Sequence, residues 1–182
     1  MNNLDINPEV SPLYIGAGFL KYKNQLLQIA PEESLAAIIG GSFSDSECFG
    51  NDENGRKNVM YWDEVNKAFY NSVGLKNPGR LAASEYLPDC LKAIKDTGKL
   101  TIISVVALPG EDVVTVLPMM SQWALDMGAD AVEIDASCKN VNSEVLCENL
   151  DLLGGVDQAV RKQIGETSVY GFKVSNLNKQ MI

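Results

Sequence analysis

The sequence predicts an α/β fold in which a parallel sheet is covered by helices. Three observations predict it. Short apolar runs alternate with longer amphipathic ones, the apolar runs are near-continuous as strands buried on both faces require, and two of them close on glycines. PLYIGAG (12 to 18) reads as a strand entering a glycine-rich turn, and KYKNQLLQIA (21 to 30) as a helix. SLAAIIGGS (34 to 42) is a second buried run, with its strand at 36 to 41. A long polar stretch from Phe43 to Phe69 follows; a loop of that length is unusual in a compact domain and often functional. GRLAASEYLPDCLKAIKDTG (79 to 98) has helical spacing at Ala83, Leu87, Leu91 and Ile94, with Pro88 as a kink or a true start. LTIISVVAL (100 to 108) is rich in β-branched residues and gives a third strand at 101 to 107, closed by Pro109 and Gly110. A helix over 111 to 130, disturbed by Pro118, leads to a strand at 131 to 135. Helical material from Ser143 onward then precedes a last strand at 169 to 174.

Strand, helix, strand, helix fits either a doubly wound sheet or a (β/α) barrel, and in both the chemistry sits at the carboxyl ends of the strands. Composition narrows the chemistry. The 182 residues suit one domain, and a net charge of -9 with scattered basic residues argues against nucleic acid as a partner. No stretch approaches the roughly 18 apolar residues of a membrane span, and the polar start MNNLDINPEVSP does not read as a secretory signal, so a cytoplasmic protein is expected. Four cysteines without a CxxC pair, and no histidine, make reduced thiols the expectation and a metal site not. Without histidine, acid–base work falls to Cys, Asp, Glu, Lys or Tyr.

The strand ends hold the candidate residues. Gly16-Ala17-Gly18 and Gly40-Gly41-Ser42 let the backbone approach a ligand closely, or are simply tight turns; neither the dinucleotide nor the P-loop fingerprint is present. Asn71, in NSVGL, offers a donor and an acceptor on one planar amide, or closes a turn. Asp135 and Cys138 flank the end of the fourth strand. A thiol with a reference pKa of about 8.5 can act as acid or base, although free cysteine is more often a small buried hydrophobe. Cys138 sits in polar surroundings, SCKNVNSE, whereas Cys48, Cys90 and Cys147 read as ordinary packing or surface cysteines. Lys173 is the one charge in the last strand. It either points inward to a partner or outward to water.

NSVGLKNPG (71 to 79), VEIDASCKNV (132 to 141) and GFKVSN (171 to 176), in this order, resemble the flavin-dependent dihydroorotate dehydrogenases of the soluble class 1 type, whose pattern reads NSxGLPNxG, ELNxSCPN and GVKL. The resemblance runs from about Pro12 to Asn176. It implies a (β/α) barrel holding FMN at the carboxyl ends of its strands. It also implies oxidation of dihydroorotate to orotate in pyrimidine biosynthesis, with a cysteine taking the C5 proton and a hydride passing from C6 to flavin N5. On that resemblance Cys138 is the base, and Asn71 and Asn140 hold the pyrimidine ring. Val73, Gly74 and Leu75 form the turn that meets the substrate carboxylate. Lys173 stands beside the flavin ring, and Ala17, Gly18, Gly41 and Ser42 are at flavin-contacting turns.

Three positions depart from the pattern. Gly41 stands where the family has lysine, Asp135 where it has asparagine, and Lys139 where it has proline. A carboxylate at 135 accepts hydrogen bonds but does not donate them, and it repels an anionic substrate at close range. These changes leave open a related dehydrogenase acting on another dihydropyrimidine. A full barrel needs eight strands and typically about 250 residues, so the expectation is a barrel truncated after about five strands. It divides as a polar segment over 1 to 11, a partial barrel over 12 to 176 and a tail over 177 to 182. Open sheet edges call for a homodimer or for a complementing chain that supplies the missing strands. The alternative to an enzyme is an inactive or repurposed half-barrel that binds a partner. The electron acceptor is not specified by these residues.

Overall fold

The computed structural model describes residues 13–54, 59–138 and 145–175. In chain order the elements are β1 (Leu13–Ile15), α1 (Lys23–Ile29), β2 (Leu35–Phe43), β3 (Val59–Asp63), β4 (Ala68–Ser72), α2 (Gly79–Ser84), α3 (Leu87–Lys95), β5 (Leu100–Val105), α4 (Val113–Asp126), β6 (Ala131–Asp135), α5 (Leu150–Ile164) and β7 (Tyr170–Lys173). The five strands expected from the apolar runs form one parallel sheet in the order β1-β2-β5-β6-β7. Once the β3–β4 hairpin is set aside, spatial order equals chain order. A doubly wound sheet reverses its strand order at a switch point, and no reversal occurs here, so the sheet is a five-stranded part of a (β/α) barrel. The polar segment 1 to 11, Lys139, Asn140 and the tail lie outside the described residues.

Two expectations are corrected. The stretch from Phe43 to Phe69 is not a plain loop, because it holds a 3-10 turn (Gly50–Asn54) and β3, which pairs antiparallel with β4. The Asp63 carboxylate accepts from the backbone N–H groups of Val65 and Asn66 and closes the hairpin, while Tyr61 and Tyr70 stack across it at 4.9 Å. VMYWD and AFYNS carry the aromatic content of strands, but the polar run GNDENGRKN before them masked it. The helix expected over 79 to 98 is two helices. Pro88 sits in the first turn of α3, where its missing N–H has no partner to lose.

The core lies between the helices and one face of the sheet. Ile38, Phe43, Ile103, Val105, Val132 and Ile134 present that face, and Leu26, Leu91, Ile94, Leu117, Met120 and Val156 meet it from the helices. Each fully buried side chain of this size stabilises the fold by about 1.5–3 kcal/mol. Trp123 packs edge-on against Phe43 and donates its indole N–H to the Ser84 hydroxyl at 2.9 Å, tying α4 to α2.

The other, concave face is polar. Strand side chains alternate, so the residues between the core positions point the opposite way. Register sets Ser104 beside Glu133 and Asp135 beside Lys173. Lys173 Nζ lies 2.6 Å from Asp135 and 3.8 Å from Glu133. The Ser104 hydroxyl donates to Glu133 at 2.8 Å, which makes the Ser42 hydroxyl, also at 2.8 Å, its donor. Ser42 Oγ stands a further 3.3 Å from Asp135. A ring of polar contacts thus crosses β2, β5, β6 and β7.

At the opposite, amino end of the strands, Asp130 accepts from the Thr101 N–H and hydroxyl, both at 2.8 Å, and pairs with Lys95 of α3 at 2.8 Å. Burial pushes the Asp130 carboxyl up, but the hydrogen bonds from Lys95 and Thr101 outweigh it and hold the group below the ordinary carboxylate range. A depressed native pKa contributes stability above the unfolded-state pKa and loses it as pH falls through the native one. Asp130→Asn is expected to lower stability by about 1–2 kcal/mol at neutral pH, with the difference closing below about pH 4; urea unfolding at pH 7 and in acid measures both. Lys173→Met leaves a buried carboxylate with hydroxyl and amide donors alone and is expected to destabilise by about 2–3 kcal/mol. Adding Asp135→Asn should recover about 1–2 kcal/mol of coupling in a double-mutant cycle, and additive effects would remove the pair from its assigned weight.

Candidate functional site

The carboxyl ends of the strands open into one cleft of about 440 Å³, within the range of roughly 300–1,000 Å³ that holds small ligands. It collects ten of the sequence-predicted residues: Ala17, Gly18, Ser42, Asn71, Val73, Gly74, Leu75, Asp135, Cys138 and Lys173. Gly41 stands behind them. Its carbonyl accepts from Gly18 N–H at 2.6 Å, and its own N–H donates to the Leu20 carbonyl at 2.8 Å, so the first two turns are locked together. Gly41 has φ +111, and a Cβ there would come within 2.5 Å of the Ser104 carbonyl oxygen. Position 41 therefore admits no side chain without moving the backbone. Gly18 has φ +118 and opens on space, since a Cβ there meets nothing within 4 Å.

The NSVGL segment enters the cleft because Asn77 holds it. Asn77 is buried, and its carboxamide accepts from the N–H groups of Ser44 and Gly79 and donates to the Leu75 carbonyl at 2.9 Å. The turn is thereby fixed to the end of β2. Gly50 approaches Val73 so closely that a Cβ would meet the Val73 carbonyl oxygen at 2.3 Å. Asn77 and Gly50 were missed as site organisers; the Asn-Pro-Gly turn signal at 77 to 79 pointed to the former.

Cys138 follows β6. The Ser137 N–H and hydroxyl both donate to Asp135, at 3.2 and 3.1 Å, and this local turn brings the next residue to the cleft wall. Cys138 is half-buried and packs beside Leu75 and Val106, near Cys48. Cys90 and Cys147 are buried, as packing cysteines are. Lys173 points inward. Its partners make the Asp135 carboxylate, whose side chain is only 5% exposed, a compensated charge rather than a bare one.

Sequence reasoning also missed Phe19, Lys21, Met60, Ser137 and Ser175, which line the same cleft. Met60 was hidden by reading the hairpin as loop. Lys21 was read as the polar start of a helix, yet it is 6% exposed and donates from Nζ to the Lys76 carbonyl at 2.8 Å. Burial pushes its ammonium below the ordinary lysine range; Cys138, Cys48 and Asp135 act in the opposite sense, and Lys173 in the same sense as burial. A smaller hollow at the amino end of β7 is lined by Asp157, Arg161 and Tyr170, which satisfy one another at 2.9 and 2.6 Å.

Known proteins sharpen what this site belongs to. No family model matches the sequence. Over 152 residues, 84% of its length, the chain is 24% identical to the catalytic subunit of dihydroorotate dehydrogenase B (NAD(+)) from Endomicrobium trichonymphae, covering 46% of that protein. In fold it is similar to DHODH in complex with ferulenol from Eimeria tenella, with a TM-score of 0.74 at 13% identity over 93% of this chain and 51% of that one. The structure of TcOYE with pHBA shares the fold more distantly, at a TM-score of 0.54 and 12% identity over 89% of this chain and 61% of that one. The chain thus resembles the dihydroorotate dehydrogenases in both sequence and fold, and spans about half the length of the relatives it matches.

Proposed function

We propose that this chain carries the substrate end of a flavin-dependent site that oxidises dihydroorotate to orotate, with Cys138 as the base. The observation that carries the reading is the single cleft in which Cys138, Asn71, the Val73–Leu75 turn, Asp135 and Lys173 meet the two glycine-rich turns. Those turns fit a flat ring system: the open space at Gly18, the inward Ser42 hydroxyl and the Lys173 ammonium border one wall. Ala17, Gly18, Gly41, Ser42 and Lys173 would hold the FMN ring, which when bound supplies the hydride acceptor for C6 of the substrate.

The protein's own part is positioning and proton removal. The Cys138 thiolate takes the C5 proton, and the C–H electrons form the new C5–C6 double bond as the C6 hydride leaves. Cys138 needs no histidine in this reading, because the Lys21 ammonium shares its cleft and attracts a thiolate there. Asn71, together with Asn140, would hold the edges of the ring through amide donors and acceptors. Asp135, already occupied by Lys173 and the serines, serves chiefly to fix the lysine. A related flavin dehydrogenase acting on another dihydropyrimidine would use the same groups, and Asp135 and Gly41 are where the pocket would differ.

A second reading draws on the sheet edges. Leu13 and Tyr14 on β1 are 57% and 65% exposed, and β1 and β7 each pair on one side alone among the described residues. Further strands would cover them, from a longer chain or from a complementing partner, and a half-barrel kept only for such pairing needs no flavin. The relative's name, a catalytic subunit, speaks of assembly as well. The two readings separate in a visible-spectrum titration with FMN followed by anaerobic addition of dihydroorotate. Bleaching of bound flavin is the expected result; a folded protein that binds no flavin at saturating FMN favours the pairing role. Cys138→Ser should slow flavin reduction by roughly 100-fold or more, and Cys147→Ser by less than about threefold. Equal effects would remove Cys138 as the base.

A further inference from the structure

Lys21 is a buried charge in the cleft that no carboxylate answers among the described residues. A buried ammonium is strongly disfavoured unless an anion or several acceptors surround it. The described residues give Lys21 Nζ one acceptor, the Lys76 carbonyl, for its three donors. No carboxylate among them lies within 4 Å of it, whereas Lys173, the other cleft lysine, is spent on Asp135 and Glu133. The backbone around Lys21 is held on purpose-built contacts: the Gln25 carboxamide accepts from its N–H at 3.0 Å, and the Tyr86 hydroxyl donates to its carbonyl. The side chain thus runs from a fixed anchor into the cleft.

What it meets there is the NSVGL turn. Lys76, whose carbonyl it touches, directly follows Leu75. Among the described residues the N–H groups of Gly74 and Leu75 donate to no protein acceptor, although Leu75 is buried. A buried cation short of an anion and two unclaimed backbone donors on the adjoining turn describe a place for a carboxylate. Gly41 cannot supply a charge, because its backbone leaves no room for a side chain.

We propose that Lys21 is a substrate-binding residue, and that its ammonium recognises the carboxylate of an anionic ring substrate at the Gly74–Leu75 turn. The proposal deepens the reading given above and rests on it for the pyrimidine ring and for the turn as the place of the carboxylate; the role of Lys21 rests on the contacts just given.

Calorimetric titration of the native chain and of Lys21→Met with orotate, and with uracil, which lacks the carboxylate, tests both parts. The native chain is expected to prefer orotate by about tenfold or more, the factor typical of a charge-assisted hydrogen bond, and Lys21→Met to lose that preference while its uracil affinity holds. A second arm uses benzoate against benzamide and reads the melting temperature. Benzoate should stabilise the native chain and leave Lys21→Met unmoved. Lys21→Gln, which keeps a donor for Lys76, stands in if the methionine variant does not fold. Preference for the anion in the native chain that survives in the variant overturns the proposal, as does a native chain that distinguishes neither pair. A native chain that selects benzoate through Lys21 but binds neither pyrimidine supports the anion site and takes down the dihydroorotate reading instead.

Discussion

Polar side chains turned inward on four adjacent strands, charged on two of them, have to be answered within the sheet, because the helices close off its other face. Ser42, Ser104, Glu133, Asp135 and Lys173 answer one another in a ring that crosses β2, β5, β6 and β7. The geometry leaves little slack. The Ser104 proton goes to Glu133, so the Ser42 proton serves Ser104 and only grazes Asp135, and the short contact to Lys173 becomes the main compensation for that buried carboxylate. Register is thereby fixed as firmly by polar pairing as by the core. A slip of one residue in β7 would turn Lys173 into the apolar layer and strand Asp135.

The same ring sets the chemistry of the cleft above it. Lys173 is directed by Asp135 rather than by a ligand, so its position exists before anything binds. Preorganised groups of this kind do not have to be rearranged when a ligand arrives. The turns are preorganised by other means. Gly18 and Gly41 bond backbone to backbone, and Asn77 ties the NSVGL turn to β2 with three kinds of contact. Asn77 is a buried polar group with its partners in the protein, and a satisfied group of this kind specifies one arrangement.

Much of this was legible in the sequence, and the reasons are local. The five parallel strands announced themselves through continuous apolar runs such as LTIISVVAL, and Cys138 and Lys173 stood out as polar residues at strand ends. The β3–β4 hairpin did not, because its aromatic residues are half-exposed and follow a polar run, so neither period nor hydrophobicity marked it. Lys21 was illegible for a different reason. Its burial is produced by residues 50 or more positions away, among them Lys76 and Tyr86, and no window around GFLKYK contains them. Asp135 reads in the sequence as a carboxylate that would repel an anion, whereas its pairing with Lys173 depends on strand register, which a sequence specifies only after the sheet order is known.

The two ends of the strands divide the work of stability and of binding. At the amino end, Asp130 joins β5, β6 and α3 through groups that find their partners within the protein. At the carboxyl end, the ring satisfies the charges nearest the sheet, and the incompletely answered groups lie one layer higher, at Lys21 and the Gly74–Leu75 turn. That layering follows from the fold. Parallel strands point all their carboxyl ends one way, so side chains with unmet hydrogen-bonding capacity can be gathered there without disturbing the pairing below. Among the described residues the cleft gathers polar groups with hydrogen-bonding capacity to spare, and a polar, anionic ligand is what such groups are suited to hold.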